Sequence, residues 1–210
     1  ANQENKRKNA QNPHFRYSTV SIVVGKLLPN NQYEYVTGNN RADREVWAKV
    51  YFTPGEYLVY AKVQWTSGRN TDFVLSSYGP AEAEISVIKK QSYPDFLEKT
   101  FITKARQSDK KMTYAREGEA NCFSVVDISR DGFIYCYYQN MSSRTLETEV
   151  YFKEFRGIKL RKPHRGRTFK IQVPPQQEKI VLLRILPNQD VKQVLGEKVR
   201  FITGDNRRQY

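Results

Sequence analysis

The chain has 210 residues and a formal net charge of +13, with 39% hydrophobic and 13% aromatic residues. This length and composition are typical of one or two folded domains rather than a disordered chain, and no apolar run approaches the roughly 20 residues that a transmembrane helix needs. The surplus of Lys and Arg favours acidic partners, which include acidic proteins, anionic lipid and nucleic acid. The alternative interpretation of the positive charge is a basic surface that binds no specific anionic ligand.

The first half of the chain has the pattern of short β-strands. Residues 1–14 are a polar tail without periodicity, and strand-like runs begin at Phe15. The predicted strands, which are separated by turns rich in Gly, Pro and Asn, cover residues 15–25, 33–37, 46–52, 56–65, 72–78 and 83–88. Strands at this spacing indicate an antiparallel sandwich or barrel, and we expect Trp47 and Tyr57 in its core.

The segment 93–121 is predicted to connect two domains. Residues 93–99 favour the opening of a short helix with Ser92 or Asp95 near its cap. Residues 101–105 favour a strand, and the remainder is charged and weakly patterned.

The second half is again strand-like, and Asp131-Gly132 between two apolar runs predicts a hairpin with a turn at residues 129–132. The predicted strands cover residues 122–128, 133–138, 146–152, 168–173, 179–186 and 199–202. We therefore predict an all-β fold of two consecutive antiparallel β-sandwich domains, at residues 15–92 and 122–204, followed by a tail at 205–210.

The cysteines and histidines do not form a pattern that favours catalysis. Cys122 and Cys136 lie in predicted strands, where a thiol is usually a small buried hydrophobe. His14 lies in the polar tail and His164 lies among cations, so neither is placed to activate a thiol or to complete a zinc site. We expect a non-enzymatic chain without metal or cofactor, and two thiols in this length favour a reducing, cytoplasmic compartment.

The strongest charge feature is the stretch 156–170, which we call the basic segment and which contains no Asp or Glu. Its predicted partner-binding residues are Arg156, Lys159, Arg161, Lys162, Arg165, Arg167 and Lys170. These cations favour an acidic partner through charge-assisted hydrogen bonds, and the alternative is a solvated loop whose long stems cover apolar surface. No Phe, Tyr or Trp lies between Phe155 and Phe169, which argues against base stacking with single-stranded nucleic acid.

The block from Lys49 to Val59, Lys-Val-Tyr-Phe-Thr-Pro-Gly-Glu-Tyr-Leu-Val, resembles the third, non-catalytic domain of calpain-type cysteine proteases, in which a strand meets a Pro-Gly-x-Tyr turn. The run from Asp72 to Ser76 is similar to a Phe-x-Leu strand that follows in that family, so the resemblance covers residues 15–90. It implies an antiparallel sandwich similar to calcium- and lipid-binding modules, which regulates the protease core or docks it on partners. The second half resembles the C-terminal sandwich of calpain-like proteins.

The chain departs from the family in several places. Tyr60-Ala61-Lys62 stands where the family usually has Pro-Ser-Thr, and the residues from Thr66 to Asp72 include a single carboxylate. Calcium takes roughly 6–8 oxygen ligands, so the calcium site that the family implies is not supported here. The His and Asn motifs of the protease core are absent from this chain.

Together these features predict a non-catalytic, calpain-like scaffold or docking module that binds an acidic protein assembly, such as a microtubule or ciliary surface. One alternative is a regulatory segment of a calpain-like cysteine protease. Another is a module that targets anionic membranes, where each basic residue near the surface adds about 1 kcal/mol. Nucleic acid is not expected as a partner, and no transmembrane segment is predicted.

Overall fold

The computed structural model describes residues 17–66, 73–80, 82–114, 122–128, 131–160, 166–186 and 192–202. In these residues it has eleven β-strands and one α-helix, and every strand pairing is antiparallel. The predicted all-β class is therefore confirmed. The chain divides into two compact units, of which unit 1 comprises Ala1–Thr100 with Arg130–Gly132 and unit 2 comprises Phe101–Ser129 with Phe133–Tyr210.

Unit 1 is built on a three-stranded sheet. Its strands are β1 (Thr19–Leu28), β2 (Gln32–Ala42) and β3 (Tyr57–Gln64). The order across the sheet is β2-β1-β3, so β1 lies between its two neighbours. The buried side chains that form a small core on this sheet are Val20, Ile22, Val24 and Val46.

Three predicted strands of unit 1 are not strands in the structure. Residues 46–52 and the described parts of 72–78 and 83–88 pair with no neighbouring strand, apart from an isolated bridge at Val74. The expectation that Trp47 is buried is wrong, because its side chain is 69% exposed. The physical reason is that β-propensity records how well a side chain fits a pleated, half-buried surface, and an alternating pattern forms a strand only where a partner strand supplies that surface.

The single α-helix among the described residues, α1, spans Phe96–Arg106, and two short 3-10 helices lie at Pro29–Asn31 and Lys90–Ser92. It begins within the segment predicted to open a helix, and it replaces the strand predicted at 101–105, which is wrong. Leu97, Phe101 and Ala105 are all buried and follow one another at intervals of four residues, which is the spacing of one helix face. Glu98 in the first turn and Arg106 in the last turn also suit the helix dipole.

Unit 2 contains the remaining eight strands. They are β4 (Met112–Tyr114), β5 (Cys122–Ile128), β6 (Phe133–Asn140), β7 (Thr145–Arg156), β8 (Ile158–Leu160), β9 (Thr168–Val173), β10 (Gln177–Ile185) and β11 (Lys192–Ile202). They form a five-stranded sheet in the order β4-β5-β6-β10-β8 and a three-stranded sheet in the order β11-β7-β9. Gly132, at a φ of 88°, precedes β6 in the predicted hairpin, where the left-handed region favours glycine.

Both sheets of unit 2 contribute to one hydrophobic cluster. Its buried members are Cys122, Ile134, Cys136, Tyr138, Leu146, Val150, Phe152, Ile158, Phe169, Ile171, Val173, Val181 and Leu183. A core that two antiparallel sheets share is the packing expected of a β-sandwich. The sandwich arrangement of the two predicted domains nevertheless stays a prediction, whereas their antiparallel β-structure is observed.

A buried asparagine connects the end of β6 with the end of β9. Asn140 is 0% exposed, and its Oδ1 accepts hydrogen bonds from Ser142 Oγ at 2.7 Å and from Cys122 Sγ at 3.2 Å. Its Nδ2 donates at 2.7, 2.8 and 3.0 Å, respectively, to the carbonyl oxygens of Arg144, Val173 and Pro174. Because both ends of the amide are occupied by partners, Asn140 is buried without a desolvation penalty for unpaired polar atoms.

Candidate partner-binding surface

The basic segment runs from the end of β7 through β8 to β9. Of its predicted partner-binding residues the structure describes Arg156, Lys159, Arg167 and Lys170, and all four are exposed. The other predicted cations, Arg161, Lys162 and Arg165, lie outside the described residues, as do both histidines, His14 and His164. The structure therefore locates the two ends of the predicted surface.

A glycine turn places Lys159 at the end of a sheet. Gly157 follows β7 at a φ of 72°, and its carbonyl oxygen accepts a hydrogen bond from the Leu186 amide at 2.7 Å. This turn carries the chain from the three-stranded sheet into β8, the last strand in the order of the five-stranded sheet. The middle residue of β8 is Lys159, and its side chain is exposed.

Arg156, Lys159 and Arg167 share one property that distinguishes them from Lys170, the fourth described cation of the segment. None of these three side chains forms an ion pair or hydrogen bond with another residue in the described part of the chain. Arg167 is placed by its backbone, because its carbonyl oxygen accepts a hydrogen bond from the Phe152 amide at 2.8 Å. Phe152 therefore marks the backbone position of Arg167, and it precedes Arg156 by four residues of β7, or about 13 Å. Arg156 and Arg167 are thus spread along a surface rather than gathered in one pocket.

Lys170 has acidic neighbours within its own sheet. Its Nζ lies 4.0 Å from Glu147 Oε1, and its Cα partner on β7 is Glu149. Glu147 is 5% exposed and also accepts a hydrogen bond from Gln172 Nε2 at 3.0 Å. The charge of Lys170 is thus balanced in part by β7, so this cation is less available to a partner than the other three.

The structure adds one cation that the sequence reasoning missed. Arg184, on β10, is the Cα partner of Lys159 on β8. Its side chain is partly buried, and its Nε is buried without a hydrogen-bond acceptor among the described residues. Arg184 is 25 positions away from Lys159 in the sequence. Only the pairing of β8 with β10 brings them together, and no local pattern indicated it.

A second polar cluster lies in unit 2, where Tyr137, Glu178 and Arg106 meet. Tyr137 donates a hydrogen bond from its hydroxyl to Glu178 Oε2 at 2.8 Å, and Arg106 Nε donates to the same oxygen at 3.0 Å. Arg106 Nη2 also bonds to Glu178 Oε1, which makes the ion pair bidentate. Burial, and then the hydrogen bond to Glu178, raises the pKa of Tyr137 well above its ordinary value. The hydrogen bond to Glu178 is also the main cause that raises the pKa of Arg106.

Both cysteines are buried, as predicted for strand residues, and neither is in a disulfide. Within the described ranges, no group of three or more His, Cys, Asp or Glu residues is arranged to hold a metal ion. Among the residues with a described structure, no helix has the length and apolar character to cross a bilayer.

Comparison with known proteins gives no relative. No family model, no curated protein and no solved structure matches the chain. The resemblance to the third domain of calpains therefore stays a prediction.

Proposed function

We propose that this chain is a non-catalytic, β-rich docking module that binds an acidic protein surface within a larger assembly, for which a cytoskeletal filament is the model partner. One observation carries the proposal. Arg156, Lys159 and Arg167 are exposed and have no side-chain partner in the described part of the chain. The chain as a whole has a net charge of +13, which adds long-range attraction to any acidic surface.

The energetics of these cations favour binding to carboxylates. Because the three side chains form no ion pair within the described residues, a partner does not have to displace an acidic group of the chain itself. Their exposure keeps each contact modest, since exposed ion pairs contribute about 0–1 kcal/mol. Several such contacts are therefore needed, and the complex should weaken as salt screens them.

Sedimentation with microtubules tests the proposal directly. The variant with Arg156→Glu, Lys159→Glu and Arg167→Glu should bind at least about tenfold more weakly than the parent at low salt, which corresponds to about 1.4 kcal/mol. A matched control carries Lys49→Glu, Lys89→Glu and Lys111→Glu, which are exposed lysines outside the basic segment. It lowers the net charge by the same amount and should keep most of the binding.

Two results would contradict the proposal. Equal losses in the test variant and the control would show that only the net charge matters and that the basic segment is not a binding surface. If the parent fails to pellet with microtubules at low salt but floats with anionic vesicles, the module targets membranes instead of an acidic protein.

A further inference from the structure

Lys159 and Arg184 are directly opposite each other on two neighbouring antiparallel strands. Side chains of such a pair project from the same face of the sheet, with Cβ atoms about 4.5–5.5 Å apart. Two cations in this arrangement repel each other and destabilise the strand pair. An anion that contacts both side chains would convert this repulsion into attraction.

The next strand provides no anion for Arg184. Its Cα partner on β6 is Phe133, which is 2% exposed, and the residue two positions before it on β10 is Leu182, which is 3% exposed. Arg184 therefore has apolar neighbours at these positions, and its buried Nε has no acceptor among the described residues. A buried donor that lacks a partner costs about 1–3 kcal/mol, and Lys159 directly opposite adds a second cation, so the pair gains from an anion that contacts the accessible atoms of both side chains.

We infer that Lys159 and Arg184 form a two-cation site that binds one carboxylate of an acidic side chain on the partner protein. The inference rests on the proposed function and deepens it, because it names the place where a carboxylate of the partner binds. The planar guanidinium of Arg184 offers paired donors that match a carboxylate, and the ammonium of Lys159 adds a compact charge beside it.

The position of the pair in the sheet agrees with this role. β8 is the last strand in the order of its sheet, and Lys159 is exposed, so an acidic side chain can approach from outside. The buried Phe133 and Leu182 lower the local dielectric, which strengthens a charge-assisted hydrogen bond to Arg184. The two cations are paired at a single position on neighbouring strands. This arrangement suits one carboxylate better than the many anionic headgroups of a membrane surface.

Binding of a fluorescently labelled oligoglutamate peptide, followed by anisotropy at low salt, tests the site. Lys159→Gln and Arg184→Gln should each weaken binding by about fivefold or more, and the double variant should lose less than the product of the two because both cations contact one group. Lys179→Gln is the matched control, since this exposed lysine lies near the start of β10, opposite Tyr138, and removes the same charge. It should change binding by less than about twofold.

Because Arg184 is partly buried, circular dichroism must first show that its variant folds. If Arg184→Gln does not fold, the loss of oligoglutamate binding in Lys159→Gln is compared with that in Lys179→Gln, since both lysines are exposed. A larger loss in Lys159→Gln supports the two-cation site. Arg184→Lys keeps the charge without the planar fork and should bind with intermediate affinity.

The outcomes separate this inference from the proposed function. If oligoglutamate binds the parent and the Lys159 and Arg184 variants lose no more than the Lys179 control, the two-cation site is wrong and the docking function stands. If neither oligoglutamate nor microtubules bind the parent, the docking function fails, and this inference fails with it. If anionic vesicles bind in a way that depends on Lys159 while oligoglutamate does not, the carboxylate assignment is overturned.

Discussion

The hydroxyl of Tyr137 lies in the interior of unit 2, and its ionisation should be visible in the stability of the protein. Burial and the hydrogen bond to Glu178 raise its pKa in the folded state above the value of about 10 in an unfolded chain. Between these two pKa values the folded state binds more protons than the unfolded state, so the free energy of unfolding falls as pH rises. The stabilisation is complete below about pH 10 and is lost as the pH approaches the raised pKa.

The variant Tyr137→Phe should make this pH dependence shallower. At about pH 9 we expect it to be less stable than the parent, because Glu178 loses a hydrogen bond worth about 1 kcal/mol. The difference in free energy of unfolding between Tyr137→Phe and the parent, measured by urea unfolding, should become smaller at about pH 11. Tyr78, which is 93% exposed, provides the control: the stability difference between Tyr78→Phe and the parent should not change between about pH 9 and about pH 11. If the difference in free energy of unfolding between Tyr137→Phe and the parent stays constant from about pH 9 to about pH 11, the ionisation of Tyr137 does not affect stability.

Helix α1 is the element whose identity depends most on packing. Phe101 is 0% exposed, and its ring centroid lies 5.2 Å from that of Phe133 and 5.7 Å from that of Tyr135. Phe101→Ala should therefore lower the free energy of unfolding by about 3–5 kcal/mol, because it leaves a cavity among aromatic rings. Glu98→Ala, an exposed position in the first turn, should cost less than about 1 kcal/mol. Similar losses from the two variants in urea unfolding would show that Phe101 does not pack in the interior.

The sequence predicts well those strands in which buried and exposed side chains alternate because a neighbouring strand holds them in a sheet. The predicted strand 168–173 coincides with β9, where Phe169, Ile171 and Val173 are buried and the intervening residues are exposed. The predicted strand at 101–105 is wrong although the signal for a helix was local. Leu97, Phe101 and Ala105 recur at the four-residue interval of a helix face, and their burial shows that this face continues through residue 105. In residues 83–88 the alternation is present without a strand, since pairing depends on distant residues.

At the scale of the whole molecule, the protection of the two thiols should report on unfolding. Cys122 and Cys136 are both 0% exposed. Cys136 pairs with Val126, four residues along β5 from Cys122, so the two cysteines are about 13 Å apart along the strands. This exceeds the Cα separation of about 7 Å beyond which a disulfide does not form without backbone movement.

We therefore expect both thiols to react slowly with a thiol reagent in native buffer and at once in denaturing urea, because reaction requires unit 2 to open. Ser143→Cys, which introduces a thiol at an exposed position, should react immediately and serves as the control. Rapid reaction of either native thiol in the folded protein would show that the core of unit 2 is accessible.

The candidate surface was predictable from the sequence only in part. A run of cations without acidic residues is visible in the chain itself, and Arg156, Lys159 and Arg167 are indeed exposed. The acidic neighbours of Lys170 and the cationic neighbour of Lys159 come from strands that lie elsewhere in the sequence. Charge balance between neighbouring strands depends on register, and register depends on the whole fold.

The buried amide at the end of β6 has a consequence for chemical modification of the chain. Asn140-Met141-Ser142 is an acceptor tripeptide for N-linked sugar. The nitrogen that would carry the sugar is Nδ2 of the buried Asn140, which donates hydrogen bonds to the carbonyl oxygens of Arg144, Val173 and Pro174. A glycan on this atom would break those bonds and would require a space that the folded chain does not have. Glycosylation of Asn140 is therefore incompatible with the native hydrogen bonds of its side chain. Only a chain that has not yet folded presents the tripeptide to an oligosaccharide transferase.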